Sequence, residues 1–326
     1  MAREPCPGEA AHGEIRIGVS RCLLGENVRY DGGHKRSAFV TETLAPFVRY
    51  IAVCPEVEMG MSTPREPIRL VRGEDGPRLR GVNSGKDYSA GMRRFAAKRV
   101  AELRGLDLHG YILKKGSPSC GLFRVRVYGT GGAPSRDGRG SFASALVDAI
   151  PDLPVEEEGR LNDSTLRGNF IERVFAYQRL KTTLSGRWQV GDLVAFHTAE
   201  KFLLSAHDPK AHAELGRFVA GAKGTPRKGL TSDYRALFMA ALARPATIRK
   251  HANVLQHMAG HLKNLLDEGS KAELHQAIED YRRGLAPLIV PVTLIRHFVR
   301  LHDVAYLAGQ TYLSPCPREL MLRDHV

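Results

Sequence analysis

Three apolar runs of strand length mark the first half of the chain: IRIGVS at 15–20, YIAVCP at 50–55 and HGYILKK at 109–115. SAFVTETLAPF lies between the first two, and KDYSAGMRRFAAKRVAELRG between the last two. In the latter, Met92, Phe95, Ala96, Val100 and Leu103 recur at helical spacing and fall on one face. Strands alternating with helical segments predict right-handed crossovers and a mostly parallel, Rossmann-like α/β sheet. RVRVYG at 124–129 reads as a further strand, TGGAPSRDGRG as a Gly-rich loop, and a helix follows from Phe142. LPVEEEG at 153–159 reads as either the last strand or the link between domains.

From Asp163 the period changes. NFIERVFAYQRLKTTL, VGDLVAFHTAEKFLLSAH, DYRALFMAALAR, ATIRKHANVLQHMAGHLKNLLDEG, KAELHQAIEDYRRGL and VTLIRHFVRLHDVAYLAGQTYL all place apolar residues at helical spacing. Gly284 and Pro291 punctuate the last two as a stop and a start. The pattern therefore divides the chain into a disordered tail at 1–14, an α/β domain at 15–160 and an all-α domain at 161–326. A length of 326 residues suits two domains.

Composition narrows the class. With 43% hydrophobic and 25% charged residues the chain is ordinary globular protein. No apolar run approaches the ~18 residues of a membrane span, and the N-terminal stretch lacks the apolar core of a secretory signal. The expected compartment is the cytoplasm. The net charge of +13 favours an anionic partner, of which nucleic acid is the commonest. Up to residue 160 there are 25 basic and 20 acidic residues; beyond it there are 23 and 15, with ten of the 13 histidines.

Five cysteines in a reducing compartment argue against a disulfide framework. Cys6 lies in the tail and Cys316 in a Pro-flanked turn, whereas Cys22, Cys54 and Cys120 each sit at or just past the carboxyl end of an apolar run. In a parallel sheet those ends share the edge where open α/β folds bind ligands. Three thiolates without a fourth partner suit an iron–sulfur cubane with one iron left open. A zinc site is the rival, although structural zinc usually takes four ligands with close Cys pairs. Three buried small residues of no chemical consequence are the plain alternative. Glu56 in CPE and Ser117 in GSPSCG flank two of the cysteines; Glu56 could serve as general base or position water, or the two could equally be a strand-end carboxylate and a helix cap.

Three blocks, RIGVSRCLLGENVRYDGGHKR, AVCPEVEMGMSTPREPIRLV and LKKGSPSCG, resemble those of the thiouracil desulfidase family. NVLQHMAGHLKNLL, YRRGLAPLIVPVTLIRHFV and YLAGQTYLSP resemble a second domain often fused to it, and the fused arrangement is similar to enzymes that desulfurate 4-thiouridine in tRNA. The resemblance implies a [4Fe-4S] cluster on Cys22, Cys54 and Cys120 whose fourth iron takes the thiocarbonyl sulfur. It implies that Glu56 activates water and Ser117 assists proton transfer, in a hydrolysis without net redox change. It also implies a tRNA partner. Candidate RNA contacts are Arg65, Lys114 and Lys115 in the first domain and Lys250, His257, Arg296 and Arg300 on polar helix faces in the second. His257 and His261, four residues apart, have metal-ligand spacing but no evident third ligand. Two further functions stay open: a desulfidase of free thiouracil bases, and a non-enzymatic iron–sulfur RNA-binding regulator.

Overall fold

The computed structural model describes residues 14–129, 133–224, 226–320 and Arg323. The tail to residue 13, Cys6 included, and Thr130–Gly132 of the Gly-rich stretch lie outside the described residues. Two compact units result, Glu14–Asp163 and the described residues from Ser164 onward.

The first unit runs β1 (Arg16–Ser20), β2 (Arg49–Val53), α1 (Pro55–Glu58), β3 (Ile68–Val71), β4 (Arg78–Gly81), α2 (Ser89–Gly105), β5 (Gly110–Leu113), β6 (Val125–Tyr128), β7 (Ser135–Gly138), α3 (Ser141–Ala149) and β8 (Val155–Glu157). One sheet has the order β2-β1-β5-β8, with every pairing parallel. Its two central strands, β1 and β5, are buried almost throughout and read as continuous apolar runs, as covering on both faces requires, whereas β2 and β8 lie at the edges. Met92, Ala96, Val100 and Leu103 of α2 are buried, and Phe95 stands 6.3 Å from Phe142 of α3. Phe142 in turn meets Tyr111 of β5 at 6.0 Å.

A second sheet, absent from the sequence reading, has the order β4-β3-β6-β7. RVRVYG is a strand but belongs here, pairing with β3 rather than extending the parallel sheet. The supposed loop TGGAPSRDGRG contains β7, which closes a hairpin on β6. These strands are short and alternate arginine with aliphatic residues, a pattern easily taken for loop. LPVEEEG resolves to the strand β8. SAFVTETLAPF is not a regular α-helix: Phe39–Leu44 is a π-helical turn, followed by a 3-10 turn at Ala45–Phe47.

The second unit is helical: α4 (Ser164–Thr183), α5 (Val190–His207), α6 (Pro209–Ala220), α7 (Arg227–Leu242), α8 (Ile248–Leu262), α9 (Glu268–Arg282), α10 (Ile289–Leu301) and α11 (Ala305–Ala308). The sequence reading lacked α6, although its start is well marked. Asp208 caps it by accepting from the N–H groups of Lys210 and Ala211, and Pro209 occupies the first position. The stretch expected as one final helix breaks after α10, with Asp303 in the left-handed region at φ 49°. Near the centre the buried Glu172 carboxylate accepts from Arg323 at 3.0 Å and faces His207 Nε2 at 3.3 Å. Among the described residues no helix is long and apolar enough to cross a membrane.

The register of the central strands sets the geometry of everything at their carboxyl edge. Gly18 pairs with Tyr111, and Ser20 with Val53. A Cβ on Gly18 would stand 2.1 Å from the Tyr111 ring, which is fully buried. Overpacking of this kind costs about 1–3 kcal/mol. Gly18→Ala is expected to lower stability by that amount in denaturant unfolding, whereas Gly105→Ala, at the end of α2 with no described atom within 4 Å of the added Cβ, should keep or slightly raise it.

Candidate functional site

Each of the three cysteines arrives by a different local device. Cys22 lies in the 3-10 turn Arg21–Leu24 directly after β1, and its carbonyl accepts from Lys35 N at 2.9 Å. Cys54 follows β2 as the cap of α1, and its N–H donates to Glu58 Oε1 at 2.9 Å. Glu58 is itself held by Arg21 at 3.3 Å and Arg99 at 3.2 Å. Cys120 ends a tight turn after β5 that begins at Gly116, φ 69°. Ser117 Oγ accepts from the N–H groups of Ser119 at 3.2 Å and Cys120 at 3.1 Å. The backbone there passes so close to Gly140 that a Cβ on it would lie 2.4 Å from the Ser119 carbonyl oxygen.

The three thiols line one cavity of roughly 310 Å3, together with Glu56, Ser117, Arg65, Lys114 and Lys115. All three cysteines are buried. Burial pushes the Cys22 thiol up to about 12, with Lys114 opposing and Cys54 and Glu56 adding to the rise. It pushes Cys54 up to about 11, with Glu56 adding and Arg65 opposing. Cys120 is raised well above the ordinary thiol value by burial, then by Glu56, against a hydrogen bond from Ser20. Glu56 is buried, and its Oε2 accepts from Cys54 Sγ at 3.6 Å.

A soft cation fits this donor set. Three buried thiols that resist ionisation would give up their protons only to a group that binds sulfur strongly. Among the described residues no three His, Cys, Asp or Glu side chains could hold a metal ion. The three thiols share the wall of one cavity of roughly 310 Å3, room enough for a bulky inorganic core. Ser119 Oγ, fully buried beside Cys120, has no partner among the described residues.

The other residues singled out by sequence divide by position. Arg65 Nη1 donates to the carbonyls of Val28 (3.0 Å) and Ser62 (3.3 Å) and to Thr63 Oγ1 (3.3 Å). Lys114 forms an ion pair with Glu158, whose other oxygen accepts from Lys115 N at 2.6 Å, and the Lys115 side chain is exposed. In the helical unit, Lys250 Nζ donates to the His207 carbonyl at 2.5 Å and Arg296 to Ser314 Oγ. His257 and Arg300 are exposed, and the His261 ring packs on Tyr306 at 5.1 Å. Sequence reasoning missed Ser20, Arg21, Arg29 and Tyr30 on the cavity wall and Glu158 behind it. The VRY and EEE triplets that hold most of them carry no motif of their own.

Residues 17–158 match the family model described as 2-thiouracil desulfurase, and residues 201–317 match one described as a protein of unknown function, DUF1722. The uncharacterized protein YbgA of Escherichia coli (strain K12) is 33% identical over 165 residues, covering 50% of this chain and 95% of that protein. The uncharacterized protein YbbK of Bacillus subtilis (strain 168) is 34% identical over 150 residues, covering 44% and 97%. A solved structure titled as the [4Fe-4S]-dependent thiouracil desulfidase TudS is 33% identical, with a TM-score of 0.39, covering 46% of this chain and 94% of that one. The chain thus belongs, through residues 17–158, to the 2-thiouracil desulfurase family of sulfur-removing enzymes, and carries a DUF1722 module behind it.

Proposed function

We propose that the protein is a [4Fe-4S]-dependent desulfidase that converts 4-thiouridine in tRNA to uridine by hydrolysis. One observation carries the reading: three buried thiols from three strand ends face one cavity that also holds Glu56 and Ser117. Cys22, Cys54 and Cys120 would hold the cluster. When bound, such a cluster supplies a Lewis-acidic iron that polarises C=S and accepts the departing sulfur.

The remaining work falls to the chain's own side chains. The Glu56 carboxylate now accepts from the Cys54 thiol; once that thiol is deprotonated, the carboxylate can take a proton from water at the ring carbon. Ser117 Oγ already accepts from two backbone N–H groups, so its remaining capacity is its O–H, a donor for the pyrimidine edge. Lys114 and Arg65 offset the negative charge of the thiolates. The net charge of +13 supports an RNA substrate, with residues 161–326 as its helical binding part and the exposed His257 and Arg300 as candidate contacts there. The family description favours a second reading, turnover of free thiouracil.

Anaerobically purified protein is expected to carry about four irons per chain. Cys22→Ala, Cys54→Ala and Cys120→Ala should each lose them, while Cys316→Ala keeps them. Iron loss on replacing Cys316 would sink the open-iron mechanism. Glu56→Ala and Ser117→Ala should retain iron but lose turnover by ~100-fold or more if proton transfer is their task. A variant that keeps near-full turnover removes its residue from the mechanism. Mass spectrometry of nucleosides from treated bulk tRNA should show 4-thiouridine falling as uridine rises. Turnover of free thiouracil with tRNA untouched would put the second reading first.

A further inference from the structure

Beside the thiol-lined cavity the same unit carries a larger hollow of roughly 490 Å3. Both are lined by Ile68, Lys114, Lys115, Gly116 and Pro118, so they are contiguous. The floor of the hollow is formed by β3 and β6 of the second sheet, reached by Leu70 and Val125 as well as by the arginines. Along β6, Val125 and Val127 are buried while Arg126 is exposed, the alternation a strand imposes. On β3, Leu70 is buried and Arg69 lies on the other side. Arg136 is contributed by β7 and Arg124 by the turn before β6.

The charge of this groove is one-sided. Arg69, Lys114, Lys115, Arg124, Arg126 and Arg136 line it, and among the described residues no acidic side chain does. Lys114 is answered by Glu158, but Arg69, Arg124, Arg126 and Arg136 have no ion-pair partner among the described residues. Neighbouring arginines of the same sheet do find partners, Arg72 at Asp137 and Arg78 at Asp87. Arg69 lies with its guanidinium carbon 5.0 Å from the Tyr128 ring centre, and its buried Nε makes no hydrogen bond. Four like charges collected in one groove without counterions repel one another until an anion arrives. Guanidinium groups pair with phosphate through two parallel N–H donors.

We propose that this groove binds the phosphodiester backbone of a polynucleotide whose thiolated base enters the adjoining cavity. The base assignment rests on the desulfidase reading; the backbone assignment rests on the groove alone. An uncharged thiobase has no use for these arginines. Four of them, drawn from β3, β6, β7 and a turn, span more than one phosphate needs. Two of the cations expected to hold RNA in the helical unit, Lys250 and Arg296, are meanwhile engaged inside that unit.

The test uses the full chain and a short fluorescein-labelled oligouridylate that carries no thiobase. Its anisotropy is followed across a series of KCl concentrations. In the double variant Arg126→Gln, Arg136→Gln, affinity should fall about tenfold. The slope of log affinity against log salt should flatten by about 1.4, roughly 0.7 for each arginine. Arg124→Gln, in a turn outside the strand ladders, should give about half that flattening and guards against a folding defect in the double variant. Unchanged affinity and slope in both variants overturn the groove. Full displacement of the oligonucleotide by uridine monophosphate at equal phosphate overturns the polynucleotide and leaves a single-phosphate site. Groove-dependent binding by a protein that leaves thiolated tRNA intact sinks the desulfidase reading while supporting the groove. Desulfuration of tRNA that survives loss of both arginines, with the salt slope unmoved, sinks the groove and spares that reading.

Discussion

Burying three ionisable thiols at one sheet edge is expensive, and much of the first unit is arranged around that demand. Desolvation is the largest influence on Cys22, Cys54 and Cys120 alike, and it raises all three. Proximity makes matters worse, because each thiolate would feel the next. The fold answers with positive groups placed at the rim, Lys114 toward Cys22 and Arg65 toward Cys54, and with the Ser20 hydroxyl at Cys120. Ser20 also accepts from Lys114 N, so one hydroxyl links β1 to the turn that follows β5.

Those rim groups are fixed by contacts that sequence patterns do not reveal. Glu158 sits one residue beyond β8, at the far edge of the sheet from β2, yet it binds both the side chain of Lys114 and the backbone of Lys115. Glu157, its neighbour, accepts from Leu122 N at 2.8 Å and Phe123 N at 3.2 Å, anchoring the chain just past Cys120. The segment EEEG, ambiguous as strand or linker, thereby secures the third thiol from behind.

What could be read from the sequence was what periodicity and punctuation carry. IRIGVS, YIAVCP and HGYILKK became β1, β2 and β5 because strands of a parallel sheet are apolar over most of their length, most of all the buried central pair β1 and β5. Their cysteines fell at one edge for the same reason. The second sheet escaped because IRLV and RLRG bury one side chain each and SRDG none, and their polar residues mimic turns. Helix α6 escaped because it buries only Leu215 and Val219 and so carries little apolar period, although Asp208–Pro209 is a start signal in its own right. Glu56 and Ser117 were legible as neighbours of cysteines. That Ser117 both caps the turn and lines the cavity needed coordinates, because hydrogen-bond direction leaves no trace in residue order.

The second sheet is assembled from two hairpins, each inserted in a different crossover of the first. One occupies the path from β2 to β5, the other the path from β5 to β8, and they join edge to edge through β3 and β6. This interleaving governs where the lineage can accept insertions and deletions. Length change is cheap at the outer tip of the first hairpin, residues 72–77, which no strand pairing constrains. At the inner bases it is not, since one residue added there shifts the shared ladder and turns every side chain to the opposite face. Homologues that differ in what they bind should therefore vary in loop length at that tip and in residue type along the groove, over an inner frame of constant length.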